Sequence, residues 1–228
     1  MKFPLRQNER TMSYPGIFRI YCLLILCLSV STTAFAGDYG AGDAPAENSI
    51  ASRKVNKIIP AKVNEKYVYY DICGLCEKDL QCDLKDKCIK WTDGKKYDAV
   101  TTWEMKREYA LNSAAGACSV EDFTVTVEVV FHLPRWEHTD DAPRALVDKW
   151  DRYMKNLITH ENGHRDLAVA AASDISRDVA ALAPIGTCGE LDRLIHDLSR
   201  IRMNMLVEEQ KEYDIKTEHG RRQGAVFP

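Results

Sequence analysis

Residues 160–164 read His-Glu-Asn-Gly-His, two imidazoles four apart with a carboxylate directly after the first. On a helix, positions four apart lie on one face a turn apart, so both rings reach one tetrahedral cation. Glu161 stands about 100° round the helix from His160, near enough to take a proton from water activated there. Chance places such a motif in a random chain of this length on the order of one time in a hundred. The bland alternative is a pair of core histidines with satisfied hydrogen bonds. Two imidazoles and a carboxylate in one buried turn are costly without a partner, which favours a metal. The expectation is Zn2+ held by His160 and His164, with Glu161 as general base. A zinc that activates water needs a third protein ligand and one open position. No histidine occurs between Arg165 and Ala172, so the third ligand comes from farther along. Gly163 also needs a reason, because glycine weakens a helix interior by about 1 kcal/mol relative to alanine. Close approach of a facing backbone or of a substrate supplies one.

These residues need a long helix to hold them. Asp140 or Asp141 is a candidate cap, with Pro143 in the first turn. Leu146, Trp150, Tyr153, Leu157, His160, His164, Leu167, Ala171, Ile175, Val179 and Leu182 then follow in steps of three or four. That spacing defines one inward stripe. Pro184-Ile185-Gly186 breaks it, and Thr187-Cys188-Gly189-Glu190 has the form of a capping box for a second helix. The apolar stripe of that helix reads Leu191, Leu194, Leu198, Ile201 and Met205, with His196 flanking it. Leu182 lies 22 residues beyond His160, roughly 33 Å along a helix. An antiparallel return over the same distance from Thr187 arrives near Glu209. Glu208, Glu209, Glu212 and residues 213–220 thus come back to the level of the histidines, and geometry alone leaves Glu208, Asp214 and His219 open as third ligand.

The first half of the chain reads as strands. Lys66 to Ile72 is rich in aromatic and β-branched residues, and Val100 to Leu111 suits a second strand although its Glu, Met and Ala also suit a helix. From Phe123 to Leu133, Val125, Val127, Val129 and Phe131 alternate with polar residues, the period of a sheet buried on one face. Pro134 is expected to end that strand. Its edge is a candidate seat for an extended peptide. The segment Cys73 to Trp91 reads as a stapled loop with a short helix. The fold class is α+β, a small antiparallel sheet packed with a long helical hairpin.

Composition narrows the class further. The chain has 228 residues, 45% hydrophobic, with 31 basic against 34 acidic side chains. That near-neutral balance offers nothing to a nucleic acid. Residues 1–36 form an export signal: Lys2, Arg6, Arg10 and Arg19, an apolar run from Ile20 to Val30, then Ala34-Phe35-Ala36 before a cleavage point. The run is too short to span a bilayer, so no stable membrane anchor is expected after cleavage. Residues 37–60 read as a flexible lead-in and 61–228 as one domain. Loss of the leader takes four basic and one acidic residue and leaves 27 against 33. Six cysteines then remain, and in an oxidising compartment disulfides are the default. Cys118 is expected to pair with Cys188 across the strand–helix core. For Cys73, Cys76, Cys82 and Cys88, two disulfides are favoured over a second zinc.

The ordered set FHLPRW, WDRYMKNLITHENGH and YDIKTEHG followed by QGA, with Thr101-Thr102-Trp103 and Gly116-Ala117-Cys118 upstream, resembles a bacterial family regarded as secreted zinc-dependent proteases and catalogued as a domain of unknown function. The likeness covers roughly residues 66 to 225. It implies a zincin-like fold, His160 and His164 as ligands and Glu161 as general base. It also makes His219 the third ligand, with Asp214 orienting an imidazole. The expected function is a secreted or periplasmic zinc metallopeptidase acting on a peptide or protein substrate, with Tyr213 or His138 stabilising the oxyanion. The rival expectation is an exported binding or scaffolding module whose zinc is structural or inactive, distinguished by four closed ligands in place of three and a water.

Overall fold

A computed structural model describes residues 60–138 and 140–227. The export signal and nearly all of the lead-in lie outside them. The described chain runs β1 (Lys62–Ile72), α1 (Glu77–Lys87), β2 (Ile89–Lys90), β3 (Lys96–Tyr97), β4 (Val100–Ala114), β5 (Ala117–Trp136), α2 (Arg144–Ala180) and α3 (Cys188–Thr217), then a short 3-10 turn at Arg221–Gln223. No described helix is long and apolar enough to cross a membrane.

The architecture is α+β, with one correction to the expected antiparallel sheet. The three-stranded sheet has the order β1-β5-β4. β4 pairs antiparallel with β5 through a tight turn, whereas β1 pairs parallel with β5, Lys62 opposite Thr126 through Ile72 opposite Trp136. The chain between β1 and β4, including α1 and the small β2–β3 hairpin, crosses from one sheet edge to the other, and β4 then runs back so that β5 starts at the same end as β1. β5 therefore sits in the centre with both edges paired, and the free edges belong to β1 and β4. β5 also continues through Pro134 to Trp136. Pairing with β4 has ended at Val100 opposite His132, so a residue without an N–H is tolerated there.

Alternation in β5 buries Phe123, Val125, Val127, Val129, Phe131 and Leu133 on one face. α2 lies across that face. The stripe expected for α2 is the one observed: Leu146, Trp150, Tyr153, Leu157, His160, Ala171, Ile175 and Val179 are buried. Pro143, and neither Asp140 nor Asp141, occupies the N-cap position of this 37-residue helix. α3 starts at the expected capping box, where Glu190 N–H donates to Thr187 Oγ1 (3.2 Å) and Thr187 N–H to Glu190 Oε2 (3.0 Å).

The α3 stripe is rotated from the one its apolar residues mark. Leu191, Ile195, Ser199 and Leu206 are buried, while Ile201 and Met205 are half exposed. That rotation carries Gln210, Tyr213, Asp214 and Thr217 to the α2 side and turns Glu208 and Glu209 to solvent. Glu208 pairs there with Lys211 (2.8 Å) and Glu212 with Lys216 (3.1 Å).

A disulfide joins Cys118 at the start of β5 to Cys188 at the start of α3. Paired backbone bonds between Cys118 and Ile185 flank it. Among the described residues the other four cysteines are free: Cys73, Cys76 and Cys82 are exposed, and the Cys88 thiol donates to the carbonyl of Lys85. The two disulfides expected in this segment are absent, and α1 is anchored instead by Leu80 and Leu84 packed into the core. Closing a loop across a separation of 70 residues removes unfolded-state entropy worth about 4 kcal/mol in the chain-entropy treatment. The Cys118→Ala/Cys188→Ala double variant is accordingly expected to lose about 2–4 kcal/mol of unfolding free energy in urea titration, with Cys82→Ser unchanged.

Candidate metal centre

His160 and His164 point from α2 toward α3, where Asp214 meets both. Asp214 Oδ1 lies 3.3 Å from His160 Nε2 and 3.1 Å from His164 Nε2. Among the described residues these three form the one group of metal-ligating side chains whose donor atoms all lie within 4.8 Å of one another. Donors about 2.0–2.1 Å from a tetrahedral zinc stand about 3.3 Å apart, so the separations fit shared ligation. His219, which the resemblance nominates, approaches the same carboxylate oxygen (Nδ1 to Oδ1 3.4 Å) but lies outside that group. Its side chain is 46% exposed and its ring leans on Tyr97.

Two glutamines back the histidines. His164 Nδ1 bonds to Gln210 Oε1, and Gln210 Nε2 donates to the carbonyl of His164 (2.9 Å). His160 Nδ1 lies 2.9 Å from Gln223 Oε1, while Gln223 Nε2 donates to the Tyr213 hydroxyl (3.1 Å). Tyr213 in turn donates to the carbonyl of His160 (3.2 Å) and stacks on its ring, with centroids 5.1 Å apart and planes 11° apart. Its hydroxyl is thus engaged by α2 and by the 3-10 turn. His138, the other expected oxyanion group, lies exposed against Trp136 just after β5.

Glu161 is 3% exposed and faces the sheet, where Thr101 Oγ1 on β4 donates to its Oε2 (2.6 Å). Burial raises its pKa, opposed by the Thr101 bond and by the two histidines. For His164, burial works against protonation, but bonds to Asp214 and Gln210 outweigh it and leave the pKa raised. Burial pushes Asp214 the other way from its imidazole bonds, which prevail and hold the carboxyl far below the usual carboxylate range. An imidazole nitrogen facing Asp214 is an acceptor when its neutral ring carries the proton on Nδ1, the nitrogen that faces a glutamine oxygen, and the carboxylate oxygen is an acceptor as well. Three acceptors so close require positive charge among them. Protons meet that need in part, and a divalent cation meets it for all three.

Two glycines permit this packing. A Cβ at Gly163 would fall 2.1 Å from the Tyr213 hydroxyl oxygen and 2.3 Å from Cζ. The close approach expected at Gly163 is therefore real, and a side chain of the facing helix makes it. Gly220, at φ +80°, lets the chain turn against His160, whose Cγ a Cβ there would meet at 2.9 Å.

Thr101 stands in one of the motifs carrying the family resemblance, but its bond to Glu161 is not readable from spacing. Gln210 follows Leu206 by four on the buried face of α3, a signal visible once that face is known. Gln223, in the loop beyond α3, carries no periodic signal.

Residues 67–220 match the model of a family described as a bacterial protein of unknown function (DUF922). No curated protein and no solved structure matches.

Gly163→Ala is expected to lower the melting temperature, although alanine is the better helix former. In a Tyr213→Ala background the same substitution should be neutral or stabilising. Thermal unfolding of the four proteins checks both statements.

Proposed function

The chain belongs to the bacterial DUF922 family, whose function is unknown, and from that premise we propose that it is an exported, zincin-like zinc metallopeptidase. The observation that carries this reading is the convergence of His160, His164 and Asp214 beside a buried Glu161. His160 Nε2, His164 Nε2 and Asp214 Oδ1 would hold the metal, and three protein donors are the complement of a catalytic zinc. Zinc, when bound, supplies Lewis-acid polarisation and acidifies water. Export rests on the basic, apolar and small-residue pattern of residues 1–36, and the Cys118–Cys188 disulfide suits an oxidising compartment.

In hydrolysis Glu161 takes the proton of the attacking water and delivers it to the leaving amine as the C–N bond breaks. Thr101 occupies Oε2, leaving Oε1 to carry that proton. The raised pKa brings the carboxyl closer to the pH at which it can both accept and return a proton. Tyr213 serves by positioning His160, since its hydroxyl is already bonded. The substrate edge passes from β5, which is paired on both sides, to β4, the free edge that carries Thr101. An extended peptide added there would run beside the base.

His219 favours the second reading, a closed structural site, because a fourth donor stands near Asp214. Zinc per chain in purified, oxidised residues 37–228 tests both. One zinc in the wild type, lost in Asp214→Ala and kept in His219→Ala, is the expected pattern. Loss in His219→Ala would transfer the third ligand to His219. Glu161→Gln should keep its zinc and lose peptide hydrolysis by at least about 100-fold; retained hydrolysis would remove the proposed base.

A further inference from the structure

We infer that Gln210 and Gln223 are positioning residues that hold His164 and His160 in the Nδ1–H tautomer, so that both Nε2 lone pairs meet at Asp214. The inference rests on the zinc-site reading for its purpose, though not for its geometry. A ring nitrogen facing an amide oxygen must be the protonated one, which leaves the opposite nitrogen as acceptor or ligand. The direction of each amide is set by its other end. Gln210 Nε2 is committed to the carbonyl of His164. Flipping that amide would set its oxygen against the carbonyl oxygen. Gln223 Nε2 lies 3.1 Å from the Tyr213 hydroxyl oxygen, whose proton has a nearer acceptor in the carbonyl of His160 (3.2 Å) than in Gln223 Oε1 (3.5 Å). Each histidine is thus read by a glutamine that is itself braced against the backbone of the same helix, directly in one case and through Tyr213 in the other.

The choice of amide has a chemical consequence. Carboxylates are common partners of metal-bound histidines and raise ligand basicity. Glutamine orients the ring equally well and adds no charge. Asp214 then supplies the one formal negative charge among the three proposed ligands. A neutral surround leaves the cation more electron-poor than a carboxylate would, and a more electron-poor cation is the better Lewis acid. The same neutrality predicts that a carboxylate in place of the amide strengthens the hold on metal.

Two readouts on wild type, Gln210→Met, Gln223→Met and Gln223→Glu test the inference. One is long-range 15N–1H NMR of the histidine rings in zinc-free protein at about pH 9, where a free imidazole is neutral. The other is zinc affinity by chelator competition. The wild type should show His160 and His164 protonated on Nδ1. Each Gln→Met variant should move its own histidine toward the Nε2–H form, leave the other in place, and weaken zinc about 10–100-fold. Gln223→Glu, whose carboxylate the Tyr213 hydroxyl can meet with its own proton, should keep the Nδ1–H form and bind zinc at least as tightly as the wild type. Nε2–H rings in the wild type, or unchanged tautomers in both methionine variants, would overturn the inference. Tautomers that respond as stated in a wild type that binds no zinc would leave the inference standing and remove the zinc reading.

Discussion

Three acceptors crowd together across the α2–α3 seam, where one carboxylate oxygen of Asp214 lies 3.1–3.3 Å from two imidazole nitrogens. Without positive charge that arrangement repels itself. The imidazole bonds hold the Asp214 carboxyl far below the usual carboxylate range and raise the pKa of His164, the directions expected of a place that favours positive charge. Much of the surrounding structure serves to keep these groups together. Gln210 and Gln223 hold the outer nitrogens, Tyr213 lies flat on His160, and Gly163 and Gly220 remove the side chains that would separate them.

The helical hairpin gives this cluster its precision. α2 is 37 residues long and buries apolar side chains on both sides of the motif, from Leu146 to Val179. The histidines therefore sit mid-helix on a rod seated at both ends, where neither can move without displacing core. α3 is registered against it by the Thr187–Glu190 capping box and by the disulfide at its first residue. From that fixed end the helix runs back some seven turns, and Asp214 arrives at the level of the histidines. A register set so far away works because helices are stiff and interiors close-packed.

The sequence was legible where burial and chemistry agree. In α2 the histidines replace apolar residues without breaking the period, so the stripe could be read through them, and His160 and His164 do turn to the same side. In α3 the two signals part. Its buried face carries Ser199, Gln210, Asp214 and Thr217, polar because it builds the site, while Leu194, Leu198, Ile201 and Met205 form the more conspicuous apolar row on a more exposed side. Apolar periodicity follows the richer row and points Glu208 at the site, half a helix away from its true direction. The parallel pairing of β1 was hidden for a different reason. Strand direction is decided by partners some 64 residues away, and local alternation is the same for either sense.

The placement of Glu161 joins the two layers of the fold. His160 and His164 face α3, but the side chain of Glu161 turns to the sheet and ends on Thr101. A base held only by its helix would be free to rotate toward the adjacent histidines and join the cluster as a fourth acceptor. The Thr101 hydroxyl prevents this by giving one carboxylate oxygen a donor on β4 and leaving the other unassigned. The strand that restrains the base is also the sheet's free edge on that side. A main chain added to β4 would be aligned by the same backbone that fixes Glu161, so under the proposed peptidase reading the distance from base to scissile bond would be set within one strand rather than across a domain.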